Sequence, residues 1–246
     1  MNNLSLIKSH RVCNIGDMTF QRARTQEQRD ERRRAIASVA RGMLDEMPVA
    51  QLSLNELSRR VGLARSNILR YYESREAILL EILDQGMDEW AASVGRALEA
   101  DGADRAAGGE GEVSAVAALL AESLAARPVL CDLICAQAGV LEQGVSTGLI
   151  VEHKRAVTAS VRRVARALAG RLPGLDDGAA YEALTILLLL TVGGWPVSRP
   201  SAALQAAYDS DPEIAAARID FSEGLTRFLC VILTGLLAER AAAERA

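Results

Sequence analysis

LSLNELSRRVGLARSNILRYYESREAILL, from Leu52 to Leu80, is the stretch whose reading decides the fold. Ser53 stands three residues before Glu56, the spacing of a capping box at a helix N-terminus. Leu54, Leu57 and Val61 follow at helical spacing under a charged face carrying Glu56, Arg59 and Arg60. Gly62 comes where the chain needs a left-handed turn, which lacks steric cost only without a Cβ. Leu63 is then placed to tuck into the angle between two helices. The next helix, predicted from Ala64 to Tyr72, is polar and basic outward through Arg65, Ser66, Asn67, Arg70 and Tyr71. Ile68, Leu69 and Tyr72 are left to hold it down. Two short helices around such a turn make a helix-turn-helix, and the second has the size to lie in a DNA major groove. An ordinary helical hairpin with a solvated basic face has the same local pattern, so the flanks have to decide.

Upstream, a helix is predicted from about Thr25 to Met47, with Thr25 as N-cap and Pro48 ending it. Ile36, Val39, Ala40, Met43 and Leu44 form its apolar stripe, and Arg29, Arg32, Arg33 and Arg34 crowd its first half. Downstream, Ser74 opens a long helix whose broad apolar face carries Ile78, Leu79, Ile82, Leu83, Met87, Trp90, Val94 and Leu98. The charge follows the same division. Phe20 to Arg75 holds 12 Arg against 7 acids, a net of +5, whereas Glu76 to Ala246 nets −10. A basic small domain on an acidic larger one fits phosphate contacts at one end only. The overall charge of −4 therefore does not argue against DNA.

Half of the 246 residues are apolar, aromatics are few and no strand alternation is sustained, so the fold class is all-α. Residues 1–22 lack a helical period and are expected to be a disordered extension, followed by a DNA-binding domain over 23–75 and a helical domain over 76–246. Asp101 to Glu112 reads as a mobile loop. Helices are predicted near 113–126, 128–140, 146–171, 176–195 and 212–239, with a break at Gly193 to Pro200. The most apolar run, Ala183 to Ser198, is shorter than a typical membrane span and reads as a buried helix. No signal peptide is evident, and cytoplasmic location without a membrane is the expectation.

Chemistry beyond binding is hard to place. No Gly-rich phosphate loop, serine elbow or Glu-x-x-His metal pair occurs, so no catalytic residue, metal or cofactor is expected. Of the two histidines, His153 lies between Glu152 and Lys154 and reads as surface. Cys131 and Cys135 share a helix face at i, i+4, and read as small packed hydrophobes rather than a redox pair. Arg162, Arg163 and Arg166 read as a solvated face.

The ordered set Leu54, Glu56, Leu57, Val61-Gly62-Leu63, Ile68, Tyr71-Tyr72 and Ser74-Arg75-Glu76-Ala77-Ile78 resembles the tetracycline-repressor (TetR) family of bacterial regulators. The resemblance spans about residues 25–83, a third of the chain. It departs from the family pattern at Ala64 (often a capping Ser or Thr), Leu69 (commonly Tyr) and Arg75 (usually Lys). It implies a three-helix DNA-binding domain followed by a larger ligand-binding and dimerisation domain. It further implies base or groove contacts from Arg65, Ser66, Asn67 and Arg70, and phosphate contacts from Tyr71, Arg75 and the Ser53 amide. Arg pairs bidentately with guanine and Asn with adenine, which agrees with those roles. A homodimer through the last two helices is also implied, with Leu187, Phe228, Ile232 and Leu236 at its interface. The implied effector is a small apolar or amphipathic molecule, with Met87, Trp90, Cys131, Cys135, Tyr181, Thr185 and Trp195 as candidate lining. The function read from all this is a ligand-responsive regulator, a repressor binding a palindromic double-stranded DNA operator. The competing reading is a helical protein-interaction module in which the helix-turn-helix is only scaffold.

Overall fold

The computed structural model describes residues 15–100 and 110–243, with side chains described over 26–100 and 111–243. Among these residues every element is helical. Eleven α-helices run in the order α1 (Ile15–Leu44), α2 (Leu54–Val61), α3 (Arg65–Ile68), α4 (Arg75–Ala100), α5 (Glu110–Ala125), α6 (Pro128–Ala136), α7 (Thr147–Arg171), α8 (Asp177–Val197), α9 (Ala202–Ser210), α10 (Pro212–Ala215) and α11 (Phe221–Ala243). Single 3-10 turns at Val49–Gln51 and Leu141–Gln143 join α1 to α2 and α6 to α7.

A small head of α1–α3 closes around Ile36, Ala40, Met43, Leu52, Leu57 and Ile68, all fully buried. This is the predicted α1 stripe meeting the predicted α2 stripe. The expected capping of α2 is there, with the Glu56 amide donating to Ser53 Oγ at 3.2 Å. The reciprocal half of a capping box is missing, because the Glu56 carboxylate turns to Arg59 and Arg60 instead. Gly62 sits at φ 71°, ψ 25°, and its amide and that of Leu63 both close on the Ser58 carbonyl.

α4 leaves the head and becomes the central rod of the body. Ser74 caps it, Oγ accepting from the Ala77 amide at 3.1 Å. Its opening residues Ala77 to Leu80 are buried on every side because head and body both press on them. α7 packs along α4, α8 covers α7 and α6, and α11 lies between α5 and α8.

Several boundaries differ from the sequence reading, each for a local reason. α1 starts at Ile15, so residues 15–22 of the expected disordered extension are helical, while residues 1–14 lie outside the described residues. The expected mobile loop falls mainly on 101–109, also outside them, and its last residues 110–112 begin α5. The expected break at Gly193–Pro200 moves to the far end of that stretch, since α8 continues to Val197 with Pro196 in its last turn. Proline supplies no amide to the carbonyl four residues back, and the Cys135 thiol lies 3.8 Å from that Val192 oxygen and 3.7 Å from the oxygen of Thr191. The helix expected over 212–239 is two. Asp211 caps the single turn of α10, and Asp220 accepts from the Glu223 amide at 2.9 Å to start α11 afresh.

Candidate nucleic-acid interface

The outward face of the head is built by the turn at Gly62 and by what anchors α3 from beneath. Ile68 is wholly buried and Tyr72 nearly so, and these two hold the segment down. The Tyr72 hydroxyl lies 3.0 Å from both the Arg33 carbonyl and Glu81 Oε1, so its proton has an acceptor in α1 and another in α4. Burial first, and then the Glu81 charge, push its ionisation well above the usual tyrosine range, keeping the hydroxyl a donor. Arg33 lies over the same ring at 4.8 Å and pairs with Glu81 at 2.5 Å. Arg33 is therefore an internal clamp, although the sequence groups it with Arg29, Arg32 and Arg34.

With that anchoring, Arg65, Ser66, Asn67, Leu69 and Arg70 are all exposed, and Tyr71 is half-buried. The regular part of α3 is one turn, shorter than the predicted Ala64–Tyr72. The chain nonetheless continues winding, with the amides of Leu69, Arg70, Tyr71 and Tyr72 returning to carbonyls three or four residues back. Ala64 occupies the N-cap without a side-chain bond, leaving the first amides of α3 free of a side-chain acceptor. Two grooves flank the segment. One of about 760 Å³ is lined by Gln28, Arg29, Glu31, Arg32, Arg70 and Tyr71, and Arg29 reaches the Arg70 carbonyl at 3.4 Å. Arg29 and Arg32 thus join the face from α1. The other, about 480 Å³, is lined by Ser53, Asn55, Arg65, Leu69, Ser74 and neighbours, bringing the N-termini of α2 and α4 together beside Arg65. Helix N-termini carry partial positive charge and free amides, which suit a phosphate.

Arg75, expected as a phosphate contact, is bonded to the protein's own groups. Its Nη2 donates to the Val49 carbonyl at 2.7 Å, its Nη1 is 3.6 Å from Glu76, and its Nε is buried without a partner. That guanidinium ties the α1–α2 turn to α4, and Arg75 also lines the groove beside Arg65.

The seven candidate effector residues lie on α4 (Met87, Trp90), α6 (Cys131, Cys135) and α8 (Tyr181, Thr185, Trp195). Met87 and Trp90 are core, Trp90 donating to Ser123 Oγ at 2.8 Å. Cys131 is fully buried, and burial first raises its thiol to about 12 and that of Cys135 to about 11, so both stay protonated and inert. Trp195 is fixed by Asp132, donating through Nε1 at 2.7 Å, and meets Phe221 edge-on at 5.0 Å. Tyr181 and Thr185 lie on the first half of α8, Thr185 exposed and bonded to the Tyr181 carbonyl. A pattern of apolar positions identifies a core but does not say where the core leaves space. The grooves the body does show are elsewhere. One of about 570 Å³ runs between α4 and α7, lined by Ala91, Ala92, Gly95, Leu98, Ala167 and Gly170 together with Arg96, Glu99, Arg163, Arg166 and Arg171.

Two further expectations change. Leu187 is fully buried, turned from the presumed interface into the core, whereas Leu189 and Val192 on the opposite side of α8 are exposed. On α11, Phe228 and Val231 are exposed while Ile232 and Leu236 are half-buried. His153, read as surface, is fully buried.

The comparisons with known proteins agree with this arrangement. Residues 84–240, well over half the chain, match the family model described as tetracyclin repressor-like, C-terminal domain. Over 60 residues the chain is 33% identical to the HTH-type transcriptional regulator EthR of Mycobacterium tuberculosis, a match covering 24% of this chain and 28% of that regulator. Among solved structures, a TetR-family transcriptional regulator from Mesorhizobium loti aligns with a TM-score of 0.52 at 16% identity, over 85% of this chain and 96% of that one. A TetR transcriptional regulator from Rhodococcus sp. RHA1 aligns with a TM-score of 0.51 at 14% identity, again over 85% and 96%. At such identities the structures show the fold alone; with the family model matching most of the body, the chain belongs to the tetracycline-repressor-like (TetR) family.

Proposed function

We propose that this protein is a sequence-specific DNA-binding transcriptional regulator, a ligand-responsive repressor that grips a palindromic operator as a homodimer. The observation that carries the reading is the segregation around α3. Arg65, Ser66, Asn67 and Arg70 are exposed while Ile68 and Tyr72, within the same two turns, are buried. Four side chains able to read base edges or phosphates are thereby presented by a firmly seated helix. Arg29, Arg32 and the N-termini of α2 and α4 supply the sequence-independent phosphate attraction on either side. Ser53 contributes through the helix end it caps, and Tyr71 borders the groove on the α1 side.

The dimer is supported by surplus apolar surface. α8 and α11 each have the length and hydropathy of a membrane span, yet they pack side by side on the body and leave Leu189, Val192, Phe228 and Val231 exposed. A second copy laying the same two helices on these would bury the face and place two heads in successive major grooves. The α4–α7 groove, lined by small apolar residues, arginines and Glu99, suits a small amphipathic effector. Free thiols at Cys131, Cys135 and Cys230 suit the reducing cytoplasm.

Selection of bound genomic fragments by the purified protein tests the reading, an inverted repeat being the expected product. Arg65→Ala and Asn67→Ala are then expected to lower affinity for that repeat roughly 10- to 100-fold each, the worth of a bidentate base contact. Their circular dichroism is expected to match the parent protein. No enriched sequence together with salt-insensitive DNA binding would remove the proposal, since phosphate contacts release counterions and must weaken as salt rises.

A further inference from the structure

The loop between α6 and α7 touches both halves of the molecule with unusual specificity. At its head end, the Ser146 amide donates to Glu73 Oε1 at 2.6 Å, and the α-carbon of Gly144 lies so close to Glu76 that an added Cβ would meet that carboxylate at 3.4 Å. Glu73 follows Tyr72 directly and precedes the Ser74 cap of α4, so this contact is made at the hinge where the α3 segment turns into the central rod.

At its body end the loop is held by Glu142. Gln137 Nε2 donates to Glu142 Oε1 at 2.7 Å and Lys154 Nζ to the same oxygen at 2.6 Å. Burial acts to raise this carboxyl, but those two bonds hold it below its usual range, so the anchor is charged. Behind it stands His153, fully buried, with Nδ1 2.6 Å from Asp84 of α4 and Nε2 3.9 Å from Glu142 without a hydrogen-bond partner. An unpartnered buried ring nitrogen is costly, and it stays tolerable only while the surrounding packing fixes it. His153 thus sits between a carboxylate on the rod and the carboxylate that grips the loop. Leu141, fully buried, pins the start of the same turn.

We propose that residues 141–146 form a strap that transmits changes in the body's packing to the seat of the recognition segment, held at one end by Gln137 and Lys154 through Glu142 and at the other by Glu73. Anything that moves α7 relative to α4 shifts His153 against Asp84, changes the hold on Glu142 and so draws on or releases Glu73. For its consequence the strap rests on the head being the DNA-binding part, but the coupling itself is observable without DNA.

Hydrogen exchange followed by mass spectrometry on the full chain tests it. Glu142→Gln keeps the shape and removes the charge. It is expected to speed exchange on the order of tenfold, the loss of one charged hydrogen bond, both at 141–150 and in the remote head segment 69–78. Faster exchange confined to 137–154, with the head unchanged, would overturn the strap. Should that variant fail to fold, Glu73→Gln, on the exposed head side, reads the coupling in reverse. Faster exchange over 137–154 beyond the Ser146 amide, which Glu73 itself accepts from, supports the strap, and no change there overturns it. A protein that selects an operator yet shows neither coupling keeps the proposed function and loses the strap; coupling without any operator does the opposite.

Discussion

Alanine in place of glycine is expected to act with opposite signs at two positions of this chain, and the structure supplies both magnitudes. Gly62 has φ 71° and open space where a Cβ would go, so no neighbour resists the substitution. What remains is the intrinsic penalty of a left-handed L-residue, about 1–2 kcal/mol, reduced by the loss of unfolded-state freedom worth about 0.4–1 kcal/mol. Gly62→Ala is therefore expected to destabilise by about 1 kcal/mol, or lower Tm by roughly 2–4 °C in a chain of this size. Gly95 lies inside α4 and also faces open space. There the same change improves helix propensity and is expected to stabilise by about 0.5–1 kcal/mol. Gly86 is the control for sterics. It is also in α4, but its Cβ would lie 3.2 Å from Leu130 Cδ1 of α6, so crowding is expected to cancel most of the propensity gain. Urea unfolding followed by far-UV circular dichroism, at one fixed protein concentration, reads all three. A gain at Gly62, or a loss at Gly95 equal to that at Gly62, would refute the assignment of the turn as left-handed and the argument built on it.

Two other outcomes follow from the structure. Phe228→Lys places a charge on the exposed α8–α11 face, so sedimentation is expected to show a shift from dimer to monomer with helix content unchanged; association identical to the parent at every concentration would leave that face without a partner. Arg59 and Arg60 hold the Glu56 carboxyl at about 2, below its usual 4.5. A depressed carboxyl stabilises the folded state above its unfolded value, so the contribution is present at neutral pH and lost as pH falls from about 4.5 towards 2. Glu56→Gln is expected to flatten the pH dependence of Tm in that window, and a parallel profile would show that the pair does not differ between folded and unfolded chains.

How much of this was legible beforehand depends on how far each feature reaches along the chain. The helix-turn-helix was readable because its determinants are local: Ser53 capping α2, Gly62 accepting a left-handed turn, and apolar residues at helical spacing beneath Arg65, Asn67 and Arg70. The all-α class and the position of α7, within a residue of its predicted bounds, have the same origin. Inserted punctuation was less decisive. Pro196 could sit in the last turn of α8, whose break the sequence placed too early, because a proline near a helix end frees only one carbonyl.

What the sequence by itself determined was therefore the periodicity, the caps and the turn chemistry, which are set by neighbours within about one helical turn. Tertiary structure alone decided which side of an all-round apolar helix faces inward. In α8, Leu187 and Leu189 are chemically alike and two residues apart, yet one is buried and the other, among the described residues, the most exposed of the large apolar side chains. It likewise decided which arginines are clamps (Arg33, Arg75) and which face outward (Arg29, Arg65, Arg70), since the acceptors Glu81 and the Val49 carbonyl arrive from 48 and 26 residues away. His153 was misread for that reason. Its flanking charges belong to the solvent side of α7, while the ring points the other way, to Asp84 and Glu142, carboxylates that only the packing of α4 and the 141–146 loop brings together.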